Sequence, residues 1–233
     1  TRSVGHLARG LIDGERHVAG LRVVRLDWRA HGGSAIGGPY GFEDLTGGVL
    51  TLFDQLGIDR AHLVGHSLGG SVAAEIAVAA PARVGSLAVL GGIAGAPGVA
   101  CFRRLGVETT GLAALGLPAL RAALPQTLLY KGVPVEPSLH DAAFVPENMA
   151  SAYAAATAPT TTWDRLQAGR VVAPTLFLIG ADDPASPFSA EQLAALVPGA
   201  RGATHARTGH LSIQRQPRSA ADALLDLVSR SRL

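Results

Sequence analysis

The chain has 233 residues, formal charge +2, 48% hydrophobic and 16% charged residues, which fits one sizeable α/β domain and excludes a disordered chain. Its pI of 9.1 reflects scattered arginines without a basic run, which argues against a nucleic-acid partner. One cysteine, Cys101, excludes an internal disulfide and a multi-cysteine metal site, and no apolar stretch reaches the roughly 20 residues that span a bilayer.

Arg2, His6, Arg9 and Asp13 interrupt every early apolar run, so the start does not read as a signal peptide and the expected location is the cytoplasm. Leu21 to Leu26, β-branched and apolar, reads as a buried strand. A turn-rich stretch follows, His31 to Ser34 and Gly37 to Tyr40. Apolar residues at 42, 45, 49, 52, 53 and 56 then mark one face of a helix that Gly57 stops. Ala61 to Val64 is a second strand, Leu68 to Ala80 a small-residue helix ended by Pro81, and Ser86 to Leu90 a third strand.

From about Ile93 to Leu166 the alternation lapses into an Ala-, Leu-, Pro- and Thr-rich stretch, read as short helices. It resumes with a strand at Thr175 to Ile179 and a helix at Ser189 to Val197, opened by a Ser189/Gln192 capping box. A short strand near Gly202 to Thr204 and an amphipathic helix from Ser219 to Val228 complete the chain. The pattern predicts a mostly parallel sheet with helices on both faces, built from residues 1–92 and 167–233, with residues 93–166 as a helical cap over the strands' C-terminal edge.

Between the second strand and its helix lies Gly65-His66-Ser67-Leu68-Gly69. A strand turning abruptly into a helix holds its middle residue in a strained conformation, and glycines at either side relieve the crowding. The turn would lift the Ser67 hydroxyl off the sheet edge and set the Leu68 amide at a helix start, where an oxyanion can be stabilised. The plainer reading is a glycine-rich turn holding an ordinary serine.

A nucleophilic serine needs a base, and the base an orienting carboxylate. Gly180-Ala-Asp-Asp-Pro184 follows a predicted strand; Asp183, directly before the proline, is the favoured acid, with Asp182 the alternative. Of eight histidines, His6, His17, His62, His31 and His66 precede the acid, and His140 falls in the cap. His210, on the loop Thr208-Gly-His-Leu211, is the favoured base, and His205 the alternative.

With these residues in place, the sequence resembles the α/β-hydrolase superfamily over nearly its whole length, through Arg25 to Ser34, Leu56 to Val64 leading into the turn, and Pro81 to Val84 after it. More narrowly it is similar to 3-oxoadipate enol-lactonases and related esterases, through Gly38 to Leu45, Gly180 to Pro187 and Gly209 to Pro217. The resemblance implies hydrolysis of an ester or lactone through an acyl-enzyme on Ser67, without metal or cofactor. Alternatives are a general carboxylesterase, a cofactor-free haloperoxidase or perhydrolase, and a non-catalytic or truncated hydrolase-like binding protein.

Relatives of this kind carry earlier strands and a loop that gives a second oxyanion donor; neither is recognisable ahead of Leu21. The expectation is therefore a fragment, an unusual substitute at Thr1 to Gly10, or turnover lowered on the order of 100- to 1,000-fold. For an anionic lactone, Arg103, Arg104 and Arg121 are candidate carboxylate partners, or plain surface arginines. Trp163, Tyr130, Tyr153 and Phe144 are candidates to line an apolar pocket, or packing residues of the cap.

Overall fold

The computed structural model describes residues 21–28, 41–93 and 162–231. Within them the order is α1 (Phe42–Gln55), β1 (Ala61–His66), α2 (Leu68–Ala79), a single 3-10 turn (Pro81–Arg83), β2 (Val84–Leu90), α3 (Thr162–Gln167), β3 (Thr175–Gly180), α4 (Ala190–Ala194), β4 (Arg201–His205), α5 (Ser212–Arg215) and α6 (Pro217–Ser229).

The four strands pair in parallel, in the order β1-β2-β3-β4. Every residue of β2 and β3 is buried, as expected of central strands covered on both faces. The two-residue alternation of β2 divides the core. Leu87 and Val89 join one cluster with Leu45, Val49 and Phe53 of α1, Val72 and Ile76 of α2 and Leu193 of α4. Ala88 and Leu90 join the other, with Leu176 and Leu178 of β3, Ile213 of α5 and Ala220, Leu224 and Leu227 of α6.

Helix α1 begins where Asp44 accepts a hydrogen bond from the Gly41 amide at 3.0 Å. At its far end Arg83 donates to Asp54 at 2.9 Å and to the Ile58 carbonyl at 2.8 Å, tying the α1 exit to the turn after α2. The Ser189/Gln192 capping box forms as predicted, with Gln192 N donating to Ser189 Oγ at 3.2 Å and Ser189 N to Gln192 Oε1 at 2.8 Å.

Three expectations change. Leu21 to Leu26 is not a strand: residues 21–28 have no regular structure, no described strand pairs with them, and Leu21, Val23 and Val24 are exposed. An apolar run becomes a strand only where a neighbour supplies its hydrogen bonds; among the described residues, Leu26 and Trp28 are the part of this segment packed against the core. The helix after Ser189 is shorter than its apolar spacing suggested, ending at Ala194. Residues Ser212–Arg215 form an extra helical turn, α5, before the closing helix.

Helix α3 spans the expected boundary between cap and core. Its Trp163 is buried in the main core, its ring 4.6 Å from that of Phe188. On the same helix, Thr162 and Arg165 donate to the buried carboxylate of Glu75 in α2, at 2.7 and 2.6 Å. The rest of the expected cap, including Arg103, Arg104, Arg121, Tyr130, Phe144 and Tyr153, lies outside the described residues, as do residues 1–20. Among the described residues, no helix is long and apolar enough to cross a membrane.

Candidate active site

Because the strands are parallel, their C-terminal ends share one edge of the sheet, and chain leaving β1, β3 and β4 meets there. Ser67 leaves β1 with φ 55° and ψ −122°, one of two described non-glycine residues with positive φ. The strain is held from both sides. Ser67 N donates to the Leu90 carbonyl at the end of β2 (2.8 Å), while the Ser67 carbonyl accepts from Gly70 N (2.9 Å) and Ser71 N (3.2 Å). Leu68 is the first residue of α2, so its amide is among the four at a helix N-terminus that lack an intrahelical acceptor.

The crowding that demands glycine is most severe at Gly65. A Cβ on Gly65 would sit 2.0 Å from the Gly69 carbonyl oxygen and 2.5 Å from Gly70 N, whereas among the described residues a Cβ on Gly69 would meet only Trp28 Cζ2, at 3.8 Å. On the far side the crowding falls at Gly70, where a Cβ would lie 3.1 Å from both the Gly65 carbonyl oxygen and Val89 Cγ1. Gly65→Ala is expected to destabilise by about 3 kcal/mol or more. Gly69→Ala, inside a helix, is expected to be neutral or to stabilise by about 0.5–1 kcal/mol. Urea unfolding of the two variants reads the difference directly, and equal losses would contradict it.

The loop after β3 and the loop after β4 are stitched together. Ala181 N donates to the His205 carbonyl and Asp182 N to the Thr208 carbonyl, both at 2.9 Å. Gly180 allows this approach, since a Cβ there would lie 2.2 Å from the Gly209 carbonyl oxygen. The pairing carries Asp183 and His210 to the same place. His210 Nδ1 lies 3.0 and 3.1 Å from the two Asp183 carboxylate oxygens, and His210 Nε2 lies 2.9 Å from Ser67 Oγ. The Asp183 side chain is fully buried and that of His210 is 4% exposed, so little water competes for these contacts. Asp183 Oδ1 also accepts from Ala185 N at 2.8 Å, which fixes the carboxylate.

The alternatives go elsewhere. Asp182 is exposed. His205 shares a hydrogen bond with Ser219 Oγ of α6 at 3.1 Å. Burial lowers its pKa, as it lowers that of His62, which shares a hydrogen bond with Ser86 Oγ at 2.9 Å. Sequence reasoning placed His66 beside Ser67 and gave it no task. Its ring lies 4.9 Å from that of His210, and burial, with His210 next in weight, holds its pKa down to about 3.

Chemically, a hydroxyl, an imidazole and a buried carboxylate lie in line, with a helix N-terminus beside the hydroxyl. This is the arrangement of an activated oxygen nucleophile with its base and the base's orienting group.

A sequence model described as the alpha/beta hydrolase family matches residues 3–223. Among solved structures, a hydrolase from Pseudomonas aeruginosa is 30% identical with TM-score 0.69, the match covering 86% of this chain and 77% of that one. The enol-lactonase from Burkholderia xenovorans is 26% identical with TM-score 0.63, covering 87% and 78%. Among curated relatives, the acetyltransferase component of an acetoin cleaving system from Pseudomonas putida is 41% identical over 87 residues, 37% of this chain and 24% of that protein. A 2-hydroxy-6-oxononadienedioate/2-hydroxy-6-oxononatrienedioate hydrolase from Paraburkholderia phymatum is 44% identical over 81 residues, 34% of this chain and 28% of the relative. The match thus spans only about a quarter of these curated relatives' own length.

Proposed function

The chain belongs to the alpha/beta hydrolase family, and from that premise we propose that it hydrolyses a carboxylic ester or lactone through an acyl-enzyme on Ser67. The observation that carries the proposal is the continuous contact from Ser67 Oγ through His210 to Asp183, at 2.9 and 3.0 Å. Ser67 Oγ attacks the carbonyl carbon while His210 Nε2 takes its proton. Asp183 holds the proton-bearing Nδ1 and stabilises the imidazolium that forms. The Leu68 amide donates to the developing oxyanion. His210 then passes its proton to the leaving oxygen as the carbon–oxygen bond breaks. Water, deprotonated by the same imidazole, releases the acid and restores the Ser67 hydroxyl.

The lactone reading, a small-molecule substrate such as 3-oxoadipate enol-lactone, is supported by the likeness to the enol-lactonase. A panel tests it: the enol-lactone, short-chain nitrophenyl esters and a ring-fission dienoate cleaved at a carbon–carbon bond, with bromide- and peroxide-dependent halogenation alongside. Preference for the lactone is the expected result, and preference for nitrophenyl esters would make the protein a general carboxylesterase. Turnover of the dienoate or of bromide and peroxide, with every ester and lactone left intact, would overturn the carbon–oxygen reading.

A further inference from the structure

Among the described residues, the general base of this site is held by a second group besides its carboxylate partner. His66 Nε2 lies 2.9 Å from the backbone carbonyl oxygen of His210, 144 residues further along the chain. A carbonyl only accepts, so His66 Nε2 must carry the proton and donate it, which leaves Nδ1 as the bare nitrogen of a neutral ring. The donor is attached to the residue preceding Ser67, within the strained turn itself. The acceptor is the peptide of the base, on the loop that follows β4.

We infer that His66 is a positioning residue, whose Nε2–H fixes the His210 backbone relative to Ser67 and so sets the Oγ to Nε2 distance on which proton transfer depends. This rests on the acyl-enzyme reading for its catalytic consequence, but not for the contact itself.

Packing supports the assignment. The two imidazoles are tilted by 44° with centroids 4.9 Å apart. They share a floor at Gly91, where a Cβ would lie 3.1 Å from His66 Nε2 and 3.2 Å from His210 Cε1. Gly91 N is itself held by the Leu178 carbonyl of β3 at 3.0 Å, so the floor belongs to the sheet. The ring stays neutral through the range in which enzymes work, because its pKa is held at about 3 by burial and by His210. A protonated His66 would place a second positive charge beside the imidazolium that His210 becomes during turnover; a neutral one supplies the donor without that repulsion.

Nitrogen-15 NMR of the full chain tests the contact without any substrate. The expected result is a neutral His66 with the proton on Nε2, unchanged from pH 8 to pH 5, and a downfield proton on His210 Nδ1 bound to Asp183. In His66→Leu, which lacks the donor, that downfield signal is expected to broaden or vanish. In His66→Gln, whose amide nitrogen reaches about as far as Nε2, it is expected to return. On the preferred ester or lactone, His66→Leu is expected to lower kcat by about 10- to 100-fold at nearly unchanged KM, and His66→Gln to recover most of it.

A proton on His66 Nδ1, or a folded His66→Leu that keeps both the signal and kcat, would overturn the inference. Should the wild-type protein hydrolyse nothing, the acyl-enzyme reading falls, while the resonances still decide the role of His66.

Discussion

Ser67→Ala is expected to lower kcat by about a million-fold while leaving the far-ultraviolet circular dichroism unchanged, because a nucleophile's removal forfeits most of what its base and orienting acid contribute. The same position separates stability from activity. Ser67 holds φ 55° and ψ −122°, a region that a side chain disfavours. Such strain costs on the order of 1–3 kcal/mol. Ser67→Gly should therefore be the more stable of the two inactive variants, by about 1 kcal/mol after the extra chain entropy of glycine is deducted. Thermal unfolding of Ser67→Ala and Ser67→Gly side by side gives the comparison. Equal stability would mean that the turn is not strained in solution, and a Ser67→Ala variant that retains hydrolysis would place the nucleophile elsewhere.

Asp183→Asn is the second large effect, about 10,000-fold in kcat, and its cause can be worked out atom by atom. Asp183 Oδ1 accepts from Ala185 N at 2.8 Å, so the introduced amide side chain would keep its oxygen there. That turns the amide nitrogen, now a donor, toward His210 Nδ1, where Oδ2 had accepted at 3.0 Å. Facing this donor, and left only Oδ1 at 3.1 Å, which Ala185 N already engages, Nδ1 becomes the acceptor, its proton moves to Nε2, and Nε2 can no longer take one from Ser67. KM should change little, since the carboxylate is buried behind the imidazole and does not face a substrate. Asp182→Asn, at an exposed position on the same loop, is expected to stay within about twofold of wild type. The pair is measured by steady-state kinetics on one substrate, and the reverse ranking would transfer the acid's role to Asp182.

The sequence made the site easier to read than the full architecture around it. Ser67, Asp183 and His210 stand next to local signals: a glycine-flanked turn between strand and helix, an Asp-Pro at the end of a strand, and a His in a Gly-containing loop before the closing helix. Each signal comes from backbone geometry that only certain residues accept, so a few neighbours suffice. Leu21 to Leu26 misled for the complementary reason. Its composition is that of a strand, but a strand exists only by pairing, and a partner is not encoded in the run itself. The bond from His66 to the His210 carbonyl was invisible in the same way, since two residues 144 apart share no local pattern. Glu75 was missed likewise: an acid in a small-residue helix reads as exposed until Thr162 and Arg165 are brought to it. The demand for glycine at Gly65 rather than Gly69 also depends on which backbone passes within 2.0 Å, a fact of packing rather than of motif.

The central claim is that Ser67 is an activated nucleophile. Its most direct test is incubation of the purified chain with a fluorophosphonate, read by intact mass beside Ser67→Ala. One adduct per chain, absent from the variant and slowed by Asp183→Asn, is the result expected. A folded protein that takes up no label, or takes it up equally when Ser67 is alanine, would contradict it.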